Sequence, residues 1–162
     1  MRASRLTDIR LYQAGQILRY KVDLKRFMAD CEANYARTLR IFPGHRRLDH
    51  RRFALGEPPR HFSIRVLERS PYTSLLEISQ SVDDGVPWVR FPTLKIRLYH
   101  DAQLAEVVSV ARSRNMRPRY DYPNGDMHQP DEKAQWNRFL AEWLAAVLRD
   151  GYAIGQPFAF AE

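Results

Sequence analysis

The sequence predicts an α+β fold in which an N-terminal helix, a four-stranded and mainly antiparallel β-meander, a long loop and a C-terminal helix follow one another. Two apolar stripes with the spacing of amphipathic helices lie toward the two ends of the 162-residue chain. Between them lie four short segments in which apolar and polar side chains alternate. Because the connections between these segments are short, antiparallel pairing is favoured. We expect both helices to pack on one face of the sheet.

The first helix is predicted to begin after Asp23, a favourable N-cap, and to end at Pro43-Gly44. Cys31 belongs to its apolar stripe, so it is better interpreted as a small core residue than as a nucleophile. Residues 1–19 are interpreted as an N-terminal extension, which leaves 20–162 as a single α+β domain. The stripe consists of Leu24, Phe27, Met28, Cys31, Tyr35, Leu39 and Phe42.

A basic segment over residues 45–60 follows the first helix. Its arginines, histidines and Pro58-Pro59 predict a turn-rich, solvated link. It is also the densest positive cluster in the chain, so a polyanion would contact the protein here. With two basic positions on the third predicted strand, it provides the candidate anion-binding residues Arg46, Arg47, Arg51, Arg52, Lys95 and Arg97.

The four strands are predicted from alternation and from the turn residues between them. They cover residues 62–67, 72–80, 88–99 and 103–111. Pro92 requires an edge, a bulge or a break within the third strand.

The long loop and the last helix complete the predicted fold. Residues 113–130 have no period, and their prolines and tyrosines favour a packed loop. The C-terminal helix is predicted to begin at Pro130 and to end at Gly151, with acids in its first turn. Its apolar stripe consists of Trp136, Phe139, Leu140, Trp143, Leu144, Val147 and Leu148.

Composition narrows the classes of function. The net charge of +7 favours phosphate-bearing partners, although solubility alone also explains a basic surface. A single cysteine and the lack of a membrane-length apolar run favour a cytoplasmic protein that does not enter a membrane. Glycine-rich nucleotide loops, cysteine-pair zinc sites and a nucleophile elbow are all missing. We therefore predict no metal and no cofactor, and the oligomeric state stays open.

Polar side chains concentrate around the turn after the third strand and in the long loop. If the loop folds back over the end of the sheet, they converge in a pocket where a histidine beside carboxylates could act as a general base or bind a metal. In the alternative interpretation, these groups satisfy buried backbone atoms and cap the last helix. The candidate pocket residues are His100, Asp101, Arg119, Tyr120, Asp121, Tyr122, Asn124, His128 and Asp131.

The same region carries a family resemblance. The sequences LYHDA (98–102), AEV (105–107), YDYPN (120–124) and MHQPDEKAQ (127–135) resemble the YqiB-like family of bacterial proteins, which is catalogued as a domain of unknown function. The resemblance runs from about Tyr20 to about Gly151. It implies a small cytosolic bacterial protein and transfers no catalytic residue, cofactor or substrate.

Three functions are compatible with these features. A non-enzymatic binding or regulatory module is favoured, because no recognisable catalytic constellation is present. The second is binding of nucleic acid or another polyanion, with Tyr99 as a stacking surface beside the basic residues of the third strand. The third is a hydrolase or transferase. It would use His100, Asp101, His128 and Asp131. The partner stays open between a protein and a nucleic acid.

Overall fold

The computed structural model describes residues 24–81, 91–111 and 130–155. Helix α1 covers residues 24–41. It is followed by β1 (His50–Leu55), β2 (Arg60–Arg69), β3 (Thr73–Gln80), β4 (Thr93–Tyr99), β5 (Leu104–Ala111), α2 (Pro130–Asp150) and β6 (Tyr152–Ile154). The predicted extension over 1–19 and most of the predicted loop over 113–130 lie outside the described residues.

The strands form one antiparallel sheet in the order β5-β4-β3-β2-β1-β6. The prediction of an α+β fold with two helices and an antiparallel sheet is therefore confirmed. The predicted number of four strands is wrong, because the described residues form a sheet of six. The first five strands form a meander, and β6 adds to the free edge of β1.

The strand β1 lies inside the segment that was predicted to be a solvated link. Its Arg51 shares a sheet face with the buried Phe53, two residues further on. The Arg51 guanidinium donates a hydrogen bond to the carbonyl of Ile41 at the end of α1, and it lies 5.2 Å from the centre of the Phe53 ring. Because these contacts stabilise a guanidinium at a core-facing position, a basic sequence can form a strand here.

The core lies on one face of the sheet. Phe42 directly after α1 and Leu144 of α2 both join it and are fully buried. The strands contribute Phe53, Phe62, Ile64, Leu76, Ile78, Leu94, Ile96, Leu98, Ala105 and Val107. These apolar residues alternate along each strand with residues of the other face, most of which are polar. We call that other face the second face.

A buried asparagine joins both helices to the edge strand β5. The Oδ1 atom of Asn137 in α2 accepts hydrogen bonds from the backbone N–H of Val107, at 3.1 Å, and from the thiol of Cys31, at 3.8 Å. The amide of Asn34 in α1 donates to the Asn137 carbonyl at 3.0 Å. Burial is the largest cause that raises the pKa of Cys31, to about 12, so the thiol stays protonated and packs as a core residue.

No helix among residues 24–81, 91–111 and 130–155 is long and apolar enough to cross a lipid bilayer.

Candidate functional site

His100, the first residue after β4, is surrounded by three other polar side chains at one end of the sheet. Its Nε2 atom lies 2.8 Å from the Ser74 hydroxyl, and its Nδ1 atom lies 3.2 Å from the Tyr35 hydroxyl. The ring of His45 stacks against it, with 5.6 Å between ring centres and an angle of 24° between ring planes. We call Tyr35, His45, Ser74 and His100 the histidine cluster.

The histidine cluster is assembled by a turn that Arg69 fixes in place. The turn over residues 43–47 follows α1 and carries His45. Arg69, the last residue of β2, donates hydrogen bonds to the carbonyl of His45 and to the carboxylate of Asp49, both at 3.0 Å. On the other side, the backbone N–H of His100 donates to the carbonyl of Tyr72 at 2.8 Å. The cluster therefore brings together the ends of α1, β2 and β4 and the start of β3.

The pKa of each histidine is lowered from the ordinary value of 6.5, which favours the uncharged ring at neutral pH. Burial is the largest cause that lowers the pKa of each imidazole, and the positive charge of Arg46 lowers both further. Arg69 also lowers the pKa of His45. His45 lowers the pKa of His100, and Asp101 acts in the opposite direction.

His45 has one ring nitrogen without a hydrogen-bond partner among the described residues. Its Nδ1 atom donates to the carbonyl of Phe42 at 3.2 Å, so its Nε2 atom is an acceptor in the neutral ring. This Nε2 atom is buried.

The Ser74–His100 contact has the distance of a nucleophile and its base. However, Ser74 is only 4% exposed and lies on the core face, opposite Leu98. Both ring nitrogens of His100 are also engaged. These contacts favour a structural role, in which the cluster locks the 43–47 turn onto the sheet. In the described part of the chain, no three His, Cys, Asp or Glu side chains are grouped to hold a metal.

Most of the predicted pocket residues lie outside the described residues. The structure describes the side chains of His100 and of Asp101, which is exposed in the turn after β4. It does not describe the side chain of Asp131, and the other members (Arg119, Tyr120, Asp121, Tyr122, Asn124 and His128) fall in the segment without description. The hydrolase or transferase hypothesis, which needs His128 and Asp131, stays a prediction.

Sequence reasoning missed three members of the histidine cluster. Tyr35 was assigned to the apolar stripe of the first helix, and His45 to the solvated link. Ser74 carried a usable signal, because it is a polar residue at a core-facing position of a predicted strand.

The candidate anion-binding residues separate into three places. Arg51 is turned inward, as described above. Arg46 and Arg47 are exposed in the 43–47 turn, beside the histidine cluster. The others lie on the second face. Lys95 and Arg97 alternate with buried residues of β4, and Arg52 is in register with Ser63 on the side away from the core.

Acids near these residues are already paired. Glu77, a cross-strand neighbour of Lys95, accepts a hydrogen bond from Arg65 at 2.9 Å. Glu106, opposite Arg97, forms an ion pair with Lys133 of α2. By contrast, the described residues contain no ion pair that involves Arg52, Lys95 or Arg97.

The positive charge of the chain is concentrated in one stretch. Residues 33–66 contain eight arginines, no lysine and two acids. Their formal net charge is +6, compared with +7 for the whole chain. This stretch covers the second half of α1, the 43–47 turn, β1 and most of β2.

Two tyrosines are more exposed than the predicted stacking residue. Tyr99 is half-buried on the second face, and burial and Glu106 raise the pKa of its hydroxyl. Tyr72, before β3, is 70% exposed and Tyr152 of β6 is 57% exposed. The two lie at opposite ends of the sheet, since Tyr72 is next to His100 and Tyr152 pairs with Ala54 near the end of β1.

Comparison with known proteins gives the family. The model of the family described as "Protein of unknown function (DUF1249)" matches residues 37–153, more than two thirds of the chain. The chain belongs to this family. It is similar to "Uncharacterized protein YqiB" of Escherichia coli strain K12, with 36% identity over 139 residues that cover 82% of this chain and 94% of the relative.

The YqiB proteins of the Escherichia coli strains O6:H1 and O157:H7 match to the same extent. The predicted resemblance to the YqiB-like family is thereby confirmed. No solved structure matches the chain.

Proposed function

We propose that the protein is a non-enzymatic binding module of the bacterial cytoplasm, a single domain over 20–162 whose basic surface receives a polyanion. One observation carries this proposal. The described residues include no ion-pair partner for five of the six basic side chains that the sequence singles out for anion binding: Arg46, Arg47, Arg52, Lys95 and Arg97.

An unpaired basic side chain is better suited to this role than a paired one. When a phosphate group neutralises it, condensed counterions are released from the polyanion and binding gains free energy. Arg65 and Arg69 already contact Glu77 and Asp49, so an incoming phosphate would have to compete with a carboxylate there. Lys95 and Arg97 stand two residues apart on one strand, about 7 Å along the second face, and can contact successive groups of a polyanion.

The test is a salt-dependent binding measurement with charge-matched variants. Fluorescence anisotropy would follow labelled inorganic polyphosphate and a labelled oligouridylate over a series of salt concentrations. The double variants R46A/R47A and R52A/R97A each remove two positive charges. The control R138A/R149A also removes two, at residues that are paired with Asp30, Glu142 and Asp150.

We expect both test variants to bind more weakly and to reduce the slope of log K against log salt by about 1.4 for a single-stranded polyanion, while the control keeps the wild-type slope. If neither probe binds to the wild-type protein at low salt, the proposal is overturned. An equal loss in R138A/R149A overturns it too, because binding would then depend on net charge and not on these residues.

A further inference from the structure

We infer that the polyanion is a single-stranded nucleic acid, one of whose bases stacks on Tyr72 while neighbouring phosphates contact Arg46 and Arg47. This inference rests on the proposed function and names its partner.

Tyr72 is an exposed ring on a fixed backbone. At 70% it is the most exposed of the large hydrophobic side chains that the structure describes. Its carbonyl accepts the hydrogen bond from the His100 N–H at 2.8 Å, and the turn that carries it is closed by a bond from the Ser70 N–H to the Thr73 carbonyl at 2.8 Å. A ring on a preordered turn loses little conformational freedom when a ligand binds.

A chain of close contacts places Arg46 and Arg47 at the same end of the sheet. The residue bonded to Tyr72 is His100, whose ring stacks on His45 at 5.6 Å. Arg46 follows His45 directly and is close enough to lower the pKa of His100. Arg69 holds the turn in place and neutralises Asp49, the first acid after it. The exposed ring and the exposed charges therefore lie at the same end of the sheet.

The exposed ring favours nucleic acid over other polyanions. Arginine side chains alone would bind polyphosphate and nucleic acid by the same charge effect. An aromatic ring adds affinity for each base that stacks on its face, and polyphosphate has no base. In a duplex the base faces are covered by neighbouring base pairs, so the ring selects single strands. The exposed carboxylate of Asp101 lies at the same end of the sheet, and its negative charge repels a phosphate bound there.

The test compares two probes on three tyrosine variants. We would measure Kd by anisotropy for a labelled oligouridylate and for labelled polyphosphate with Y72A, Y72F and the control Y152A. The control removes another exposed ring, from the opposite end of the sheet. We expect Y72A to weaken oligouridylate binding about tenfold and to leave polyphosphate binding unchanged. Y72F and Y152A should bind like the wild type, and D101N should bind both probes more tightly.

A second measurement is independent of affinity. Ultraviolet crosslinking of a 4-thiouridine oligonucleotide, followed by mass spectrometry, should modify the peptide that contains Tyr72.

Failure of the inference is distinguishable from failure of the proposed function. If Y72A binds oligouridylate like the wild type while R46A/R47A binds it more weakly, the proposed function stands and stacking on Tyr72 is refuted. Crosslinks that lie only elsewhere in the chain refute it as well. If no probe binds, both fall.

Discussion

Replacing Asn137 by alanine should cost a large part of the stability of the fold. Asn137 is fully buried, and its Oδ1 atom is the acceptor for the Val107 N–H at the edge of the sheet. In Asn137→Ala that N–H stays buried without a partner, which costs about 1–3 kcal/mol. The void left by the amide adds about 1 kcal/mol. The expected loss is therefore about 2–4 kcal/mol in the free energy of unfolding, or roughly 4–16 °C in Tm for a domain of this size.

The assay combines urea unfolding with native-state hydrogen exchange. Gln135→Ala is the matched control, since it makes the same amide-to-alanine change at an exposed position of α2 and should stay within about 0.5 kcal/mol of the wild type. Exchange of the Val107 amide hydrogen should accelerate in Asn137→Ala and not in the control. If Asn137→Ala unfolds at the wild-type urea concentration with Val107 still protected, the proposed link between α2 and β5 does not contribute to stability.

Three further predictions concern Arg51, the two histidines of the histidine cluster, and Cys31. Arg51→Ala should lower the free energy of unfolding by about 1–3 kcal/mol, because the Ile41 carbonyl loses its donor. The control Arg52→Ala, at the adjacent exposed position, should change it by less than about 0.5 kcal/mol in the same urea titration. Equal effects of the two variants would contradict the different roles of these neighbours. The lowered pKa values of His45 and His100 mean that the unfolded chain, with imidazoles near 6.5, takes up protons first as the pH falls. The stability that these neutral histidines contribute should therefore be complete above about pH 7 and decline as the pH falls through 6.5. In the double variant H45Q/H100Q, the urea midpoint should decline less steeply over this pH range. If its decline is the same as in the wild type, other groups cause the pH dependence. Cys31, buried with a pKa raised to about 12, should react with a thiol reagent at pH 8 only after urea unfolds the chain, and rapid modification of the native protein would show that the thiol is accessible.

The sequence predicted those parts of the fold whose pattern is local. The segments 62–67 and 103–111 correspond to β2 and β5, because buried and exposed side chains alternate there within a few residues. It failed at β1, where the side chain that shares the core face with Phe53 is an arginine. Arg51 is accommodated by a carbonyl at the end of α1, and this contact has no signature in the strand itself. The three-residue β6 depends on β1 as its partner, so it was missed as well.

The histidine cluster is harder to predict because its members are far apart in the chain. His100 lies 26 residues from Ser74 and 65 residues from Tyr35, so no motif spacing unites them. The register of β3 against β4 brings Ser74 opposite Leu98 and next to the end of β4, and only the packing of α1 on the sheet adds Tyr35. His100 itself was singled out from the sequence as a polar residue at a turn.

The strand order also has a consequence for how the protein forms during synthesis. Neighbouring strands from β1 to β5 are consecutive in the chain, so each can pair as soon as it leaves the ribosome, whereas Arg52 meets Ile154 only after α2 has been made. Until then the nascent meander lacks the apolar side chains of α2. Phe62 contacts Trp143 in the finished fold, so before α2 is made its ring is exposed to solvent. Among the described elements, α2 and β6 therefore emerge last, and they cover the sheet and pair β6 with β1. We expect nascent chains that are stalled before α2 to be the form that chaperones bind and that aggregates most readily.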